Sequence, residues 1–417
     1  MSNERKVKEK DLQILRELAK KKLEIANSPV MQERRESWIK NNDLQQSRPM
    51  ILIEPVLPVM ELKCEEEWAR GMENSFRNDI YVYEKVKDDH VIDPFIRINW
   101  NIGISDYGVE VKTERGTDEK GGNLGYHWEP AIKDIDAEFN KLKPRTFSVD
   151  REGTLKWKQH LETVFNGILP IEIRPWGWLT WTMGMTQTMI HFVGLDKFML
   201  YMYDNPEGLH RLMRFLTDGH IALSKWMEKE KLLSLNNRSE YCGSGARGFT
   251  DMLPQKDWKS GEPVRLKDIW VLLESQETVG VSPAMFEEFV AVYQRELAEL
   301  FGLVYYGCCE PVHGRWDSLK KMKNLRSVSV SPWCDQEKIA EAMGKNYVFS
   351  RKPNPAMIST EHFDEDAILK DLRNTLVITK KYGCNTQLIM KDVHNLNGEL
   401  DRNGRWVALA RKAIEES

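Results

Sequence analysis

Gly302-Leu303-Val304-Tyr305-Tyr306-Gly307-Cys308-Cys309-Glu310-Pro311-Val312-His313 decides how this chain is read. Val and Tyr suit a β-strand, and Gly307 and Pro311 end it. Two thiols, a carboxylate and an imidazole then crowd the C-terminal end of that strand. Barrel enzymes place their chemistry at such ends. A barrel needs more strands of this kind, alternating with helices, and partners for these groups at the other strand ends.

The flanking sequence supplies the alternation. Upstream, Ser282-Pro283-Ala284 starts a helix by an N-cap and a proline in the first turn, and that helix delivers the opening strand. Before it, Ile269-Trp270-Val271-Leu272-Leu273-Glu274 is an apolar strand ending in a carboxylate. Downstream, Ser327-Val328-Ser329-Val330-Ser331 alternates as a strand and breaks at Pro332-Trp333-Cys334-Asp335. A short helix, the segment Tyr347-Val348-Phe349-Ser350, a helix capped by Gly383, the strand Gln387-Leu388-Ile389-Met390-Lys391-Asp392-Val393-His394 and a closing helix come next. In the first half, Met50-Ile51-Leu52-Ile53-Glu54 is apolar throughout, as a strand buried on both faces should be. Ile96-Arg97-Ile98-Asn99-Trp100-Asn101 and Ile171-Glu172-Ile173-Arg174 read as further strands.

This pattern predicts an α/β fold, a (β/α)8 TIM barrel built on a parallel sheet with crossover helices. Nine candidate strands compete for eight places, and the surplus one is 347–350 or a weak stretch near Leu235. Residues 1–48 form an N-terminal helical arm that closes the barrel floor or pairs with a second subunit in a homodimer. Residues 49–417 form a single catalytic domain. An insertion at about 107–150 has hairpin character and could serve as a lid. No dinucleotide fingerprint lies after the first strand, which argues against a Rossmann fold.

The formal net charge of −4 gives no reason to expect a polyanion, and no basic run interleaved with aromatics points to nucleic acid. No apolar window is long enough to span a membrane, and the N-terminus lacks a signal-peptide core. The cytoplasm is the expected location. Six cysteines are too sparse for a disulfide scaffold, so they are free thiols or ligands.

Several residues are candidates for chemistry. Glu54 and Glu274 end buried strands, where a carboxylate needs a partner or a raised pKa. Either could be a general acid, or could sit in a salt bridge to an arginine. Trp176, Trp178 and Trp181 crowd a glycine-broken stretch that could be an aromatic substrate wall or a packed loop. Asn101 and Tyr306, at two other strand ends, are further substrate-contact candidates. His127 reads as a surface residue. The loop Gly243-Ser244-Gly245-Ala246-Arg247-Gly248 leads into no clear helix and is not read as a nucleotide site.

The order of segments from about 190 to 415 resembles the uroporphyrinogen decarboxylase superfamily, in its corrinoid-dependent methyltransferase branch. Asp204-Asn205-Pro206-Glu207 is similar to the family's Asp-Asp-Pro-Glu helix start. Ser282-Pro283-Ala284-Met285-Phe286-Glu287-Glu288-Phe289 is similar to its Ser-Pro-x-x-Phe-x-Glu-Phe. Tyr306-Gly307-Cys308-Cys309 falls where the family has His-x-Cys-Gly, and Lys352-Pro353-Asn354-Pro355 where many members have Gly-Asn-x-Asp-Pro. The Arg-Gln-Ala-Gly-Arg signature of true uroporphyrinogen decarboxylases is missing, and Tyr306 replaces the family's zinc-binding histidine.

The resemblance implies a zinc-assisted methyltransferase. It would move a methyl group between a small methoxy compound, such as an aryl methyl ether, or a methylamine and the cobalt of a cobamide. The chain has no corrinoid-binding Asp-x-His-x-x-Gly motif, so the cobamide would arrive on a separate corrinoid protein. The ligand candidates are a thiolate from Cys308 or Cys309, Cys334 or Asp335, and His394, from three strand ends, with Glu310 beside Cys308 as a fourth and His313 as a fifth; Cys308 is favoured, leaving Cys309 and His313 in supporting or structural roles. Zinc accepts such donors and activates a leaving heteroatom as a Lewis acid. The alternative is a metal-free decarboxylase or other lyase of the superfamily, with Glu54, Arg97 or Arg174 holding a substrate carboxylate.

Overall fold

The computed structural model describes residues 7–117, 123–174 and 183–417. In chain order its strands are β1 (Met50–Ile53), β2 (Ile96–Ile98), β3 (Asn101–Ile104), β4 (Lys112–Thr117), β5 (Asn123–Glu129), β6 (Phe147–Asp150), β7 (Ile171–Ile173), β8 (Tyr241–Gly243), β9 (Ala246–Arg247), β10 (Trp270–Leu273), β11 (Leu303–Tyr306), β12 (Leu325–Val330), β13 (Val348–Arg351) and β14 (Asn385–Met390). Six of them form one parallel sheet in the order β1-β14-β13-β12-β11-β10. The first strand therefore pairs with the last, as the closing seam of a barrel would. β2 and β7 form a separate parallel pair. No ladder joins that pair to the sheet among the described residues. The expected barrel thus stands as a six-stranded parallel sheet and a parallel pair, not as a continuous ring of ladders.

Apolar side chains cover much of both faces of the sheet, and they divide with a period of two. Met50, Leu52, Trp270, Leu272, Leu303, Tyr305 and Ile389 pack together on one side, with Cys242 and Ala246. Val271, Leu273, Val304, Tyr306, Val328 and Val330 pack on the other, against the helices that connect the strands. Each fully buried aliphatic side chain of this kind contributes about 1.5–3 kcal/mol. This double burial is why the strands read as near-continuous apolar runs.

The surplus strand is resolved. Val348–Arg351 lies inside the main sheet, between β12 and β14. Residues 232–240 form no strand. There, the Asn236 side chain takes the place of a neighbour: its Nδ2 donates to Trp270 O at 3.0 Å, and its Oδ1 accepts from Trp270 N at 2.8 Å. The glycine-rich loop between β8 and β9 is buried. A Cβ on Gly243 would stand 2.3 Å from the Tyr305 ring, so close packing is what requires glycine there.

The arm consists of helices Glu9–Ala26 and Pro29–Asn42. Its last residues dock on the N-terminal end of β14. Asn41 Nδ2 donates to Thr386 O, and Gln387 Nε2 donates to Asn41 Oδ1 and Asn42 Oδ1 at 3.0 and 2.9 Å. Asn42 Nδ2 donates to Arg247 O and Phe249 O, both at 2.8 Å. Leaving one such buried amide unpaired costs about 1–3 kcal/mol. The arm thus covers the end of the sheet away from the thiols. The insertion carries the hairpin β4–β5, on which His127 is exposed, and β6, which pairs antiparallel with β3 just before the insertion. Among the described residues no helix is long and apolar enough to cross a membrane.

Candidate functional site

Gly307 turns the chain out of β11 at φ 96°, a left-handed conformation, with Ser329 Cβ 3.2 Å from where a Cβ would sit. The turn presents Cys308 and Cys309. Glu310, fully buried, anchors this turn: its Oε2 accepts from Cys308 N and its Oε1 from Ser275 N, both at 2.8 Å. It thereby ties the exit of β11 to the exit of β10. Arg315 reinforces the tie, donating to Ser275 O at 3.0 Å and also to Thr278 O.

The thiols stand side by side, with Sγ atoms 3.6 Å apart. Cys308 is buried, whereas Cys309 is half-buried and lines a cleft. Lys391, from the end of β14, places Nζ 3.5 Å from Cys308 Sγ. Asp392, at φ 58°, stands 3.8 Å from Cys309 Sγ. The hydrogen bond from Cys308 holds the Cys309 thiol below its ordinary pKa. The same bond, together with burial, pushes Cys308 up. Burial works against the charge of Lys391, but Cys308, Asp392 and Glu54 hold its pKa above the ordinary value. Of the two sulfurs, the cleft-facing one is thus the easier to deprotonate.

On the carboxyl side Glu277 lines the cleft, and Glu274 is its buried neighbour. Glu274 is buried, and its Oε2 accepts from Gln276 N at 3.1 Å. A Cβ on Gly184 would come within 3.3 Å of its other oxygen, so glycine lets the backbone close over it. Burial, then the charges of Glu277 and Glu310, raise its pKa well above the usual carboxylate range. Glu277 accepts from Thr186 Oγ1 at 2.6 Å, and burial raises it too. Among the described residues neither carboxyl pairs with a cation. The cleft of about 480 Å³ is lined by Gln276, Glu277, Val279, Cys309, Pro311 and Trp333. Trp333 and Val279 are exposed at its rim.

The remaining candidates are dispersed. Glu54 is half-buried at the end of β1, where its charge acts on Tyr241, Arg247, Lys352 and Lys391. Tyr306 is not at the cleft: it is fully buried on the helix side of the sheet and donates to Gln294 Oε1 at 3.1 Å. Asn101 is exposed on the β3–β6 pair and donates to Asp150. Trp176, Trp178 and Trp181 lie outside the described residues.

The donor set implied for zinc does not fit one ion. Both oxygens of Glu310 are engaged by backbone N–H groups. Cys334 is buried beside His313 Nδ1 at 3.5 Å, and burial pushes its thiol up to about 11. His394 is exposed. Among the described residues no three His, Cys, Asp or Glu side chains form a group that could hold a metal.

Other residues at the site carry little signal in the sequence. Lys391 and Asp392 directly succeed the apolar run of β14, and that abrupt change of polarity is the available mark. Lys352, fully buried, donates to Tyr305 Oη at 2.9 Å and Ser350 Oγ at 2.8 Å, and burial lowers its pKa well below the ordinary value. Glu277 becomes visible only through its neighbours.

No family model and no curated protein matches the chain. Among solved structures it is similar to a methyltransferase from Methanosarcina mazei, with TM-score 0.42 and 12% identity over 81% of this chain and 83% of that one.

Proposed function

We propose that this chain is a methyltransferase that takes a methyl group from a small methoxy compound and passes it to a cobamide carried by a separate protein. One observation carries the chemical half of this reading. Glu274 is a buried carboxyl without a cationic partner among the described residues, and its neighbour Glu277 lines the cleft. Burial and neighbouring like charge favour the protonated form of such a group, from which it can donate a proton.

Ether demethylation needs that donor. The C–O bond breaks, its electron pair stays on oxygen, and the methyl carbon passes to the incoming nucleophile. A proton from Glu274 meets the oxygen as charge develops there; general acid catalysis of this kind contributes about 10²–10⁴-fold. A reduced cobamide supplies the nucleophile. Burial, then the like charges of Glu277 and Glu310, raises the pKa of Glu274, and Glu310 and Arg315 hold the two strand exits at fixed spacing. The exposed apolar rim of Trp333 and Val279 suits a large planar visitor. The motif resemblance in residues 190–415 supports the choice of methyl transfer. The zinc ligand set does not assemble, so no step runs through a metal. The decarboxylase reading would use Arg97 and Arg174, but both are engaged by Glu240.

The test is a panel of methoxyarenes incubated with the protein and free cob(I)alamin. Release of the phenol is expected, at a rate that prior treatment with a chelator leaves unchanged and that Glu274→Gln lowers by about 10²-fold or more. Absence of turnover with every donor, or equal turnover by Glu274→Gln, overturns the reading.

A further inference from the structure

We propose that Cys308 and Cys309 form a two-thiol clasp on the cleft wall for a trivalent organoarsenical, held through two S–As bonds. The inference stands apart from the proposed methyl transfer and rests on spacing, donor count and shape.

The spacing comes first. The two sulfurs are 3.6 Å apart. A disulfide needs about 2.05 Å. Two thiolates on one tetrahedral centre with bonds of about 2.3 Å stand roughly 3.8 Å apart. The pair is therefore set for one bridging atom more nearly than for a bond between the sulfurs. The donor count comes next. Among the described residues no third His, Cys, Asp or Glu joins the two thiols to make a metal-holding group. A bare zinc ion would be left short of ligands, whereas an arsenic atom that brings its own carbon substituent completes a three-coordinate centre.

Shape and charge agree. Cys309 opens onto the cleft, where Val279, Pro311 and Trp333 offer apolar surface to an organic substituent. Lys391 lies 3.5 Å from Cys308 Sγ and favours loss of a thiol proton as the S–As bonds form. Asp392 lies 3.8 Å from Cys309 Sγ, placed to receive its proton. The step balances without an oxidant. With an arsine oxide, two S–H bonds break and two S–As bonds form. The oxide oxygen leaves as water with both protons, and arsenic stays trivalent.

The probe is phenylarsine oxide, added to the full chain and followed by intact-protein mass spectrometry. One phenylarsenic group per chain is expected, retained against excess mercaptoethanol and removed by dimercaptopropanol. Cys308→Ser and Cys309→Ser should each abolish retention, and Cys242→Ser should keep it. Peptide mapping of the wild-type adduct should place the group on the peptide holding Cys308 and Cys309, which decides the matter even where a serine variant fails to fold. No retained group in the wild type, a group mapped to another peptide, or full retention in a folded Cys309→Ser variant overturns the proposal.

Discussion

Two of the places where this molecule buries acids are built in opposite ways. Beside β2 and β7, Glu240 is fully buried between two arginines: Arg174 Nε at 2.6 Å and Arg97 Nη2 at 3.1 Å, with Arg97 also bonded to Asp93. Burial alone would raise the Glu240 pKa, but the hydrogen bond and charge of Arg174, then Arg97, bring it below the usual range. At the exits of β10 and β11, Glu274 has a carboxylate neighbour in place of an arginine, and its pKa rises. The same residue type has its pKa lowered in one cluster and raised in the other. The first is a structural brace. The second sets a carboxyl of raised pKa next to the cleft-lining Glu277.

The largest expected effect comes from removing the Glu274 carboxyl. Glu274→Gln should lower methyl transfer by about 10²–10⁴-fold. The same change should stabilise the fold at alkaline pH. A carboxyl whose folded pKa is raised contributes stability below its unfolded pKa and loses it as pH rises through the folded pKa, a loss the amide does not suffer. Urea midpoints across the alkaline range check this, and equal midpoints would show that Glu274 is not held neutral.

Breaking the brace should cost stability and leave the cleft chemistry alone. Arg174→Met strands part of the charge of Glu240, at about 3–5 kcal/mol. The depressed pKa of Glu240 means that its contribution is present above the unfolded pKa and is lost as pH falls through the folded pKa. The variant should therefore show a shallower fall of stability into acid, measured by denaturant melts at stepped pH.

Glu310→Gln tests the tie between the strand exits. The amide offers one acceptor oxygen where two backbone N–H groups now bond, so about 1–3 kcal/mol should be lost. Rates of methyl transfer should fall with it, because the thiol wall and the carboxyl wall are no longer held together.

The smallest effect is expected outside both clusters. Asn101→Ala, on the exposed β3–β6 pair, should change stability by no more than about 0.5 kcal/mol. Methyl transfer should not change. A tenfold fall in rate would bring the insertion into the site.

The strands were legible because they are largely apolar runs, and of the two glutamates at their ends Glu274 neighbours the cleft-lining Glu277 while Glu54 does not line the cleft. Asn205 and Pro206 announced the helix Pro206–Lys229, where the Asn205 side chain accepts from Gly208 N. What local sequence could not carry is which charge meets which. Arg97 finds Glu240, and Thr186 finds Glu277, across long separations that only the fold closes. The order of the thiols shows the same limit. Motif position favoured Cys308, yet the left-handed turn at Gly307 buries it and turns Cys309 toward the cleft. The zinc set failed for a related reason: Glu310, adjacent to the thiols in sequence, spends both oxygens on backbone amides. Strands without a continuous ladder around the ring also had no signature, because the Asn236 side chain substitutes for a strand neighbour.

The contrast between the clusters can be read in one titration. Protein labelled with carbon-13 at the glutamate carboxyl would be followed by NMR from acid to alkaline pH, with Glu274→Gln and Glu240→Gln assigning the two signals. The account predicts that Glu274 titrates well above the usual carboxylate range and Glu240 below it. A Glu274 signal already ionised in mild acid, or two signals titrating together, would contradict it.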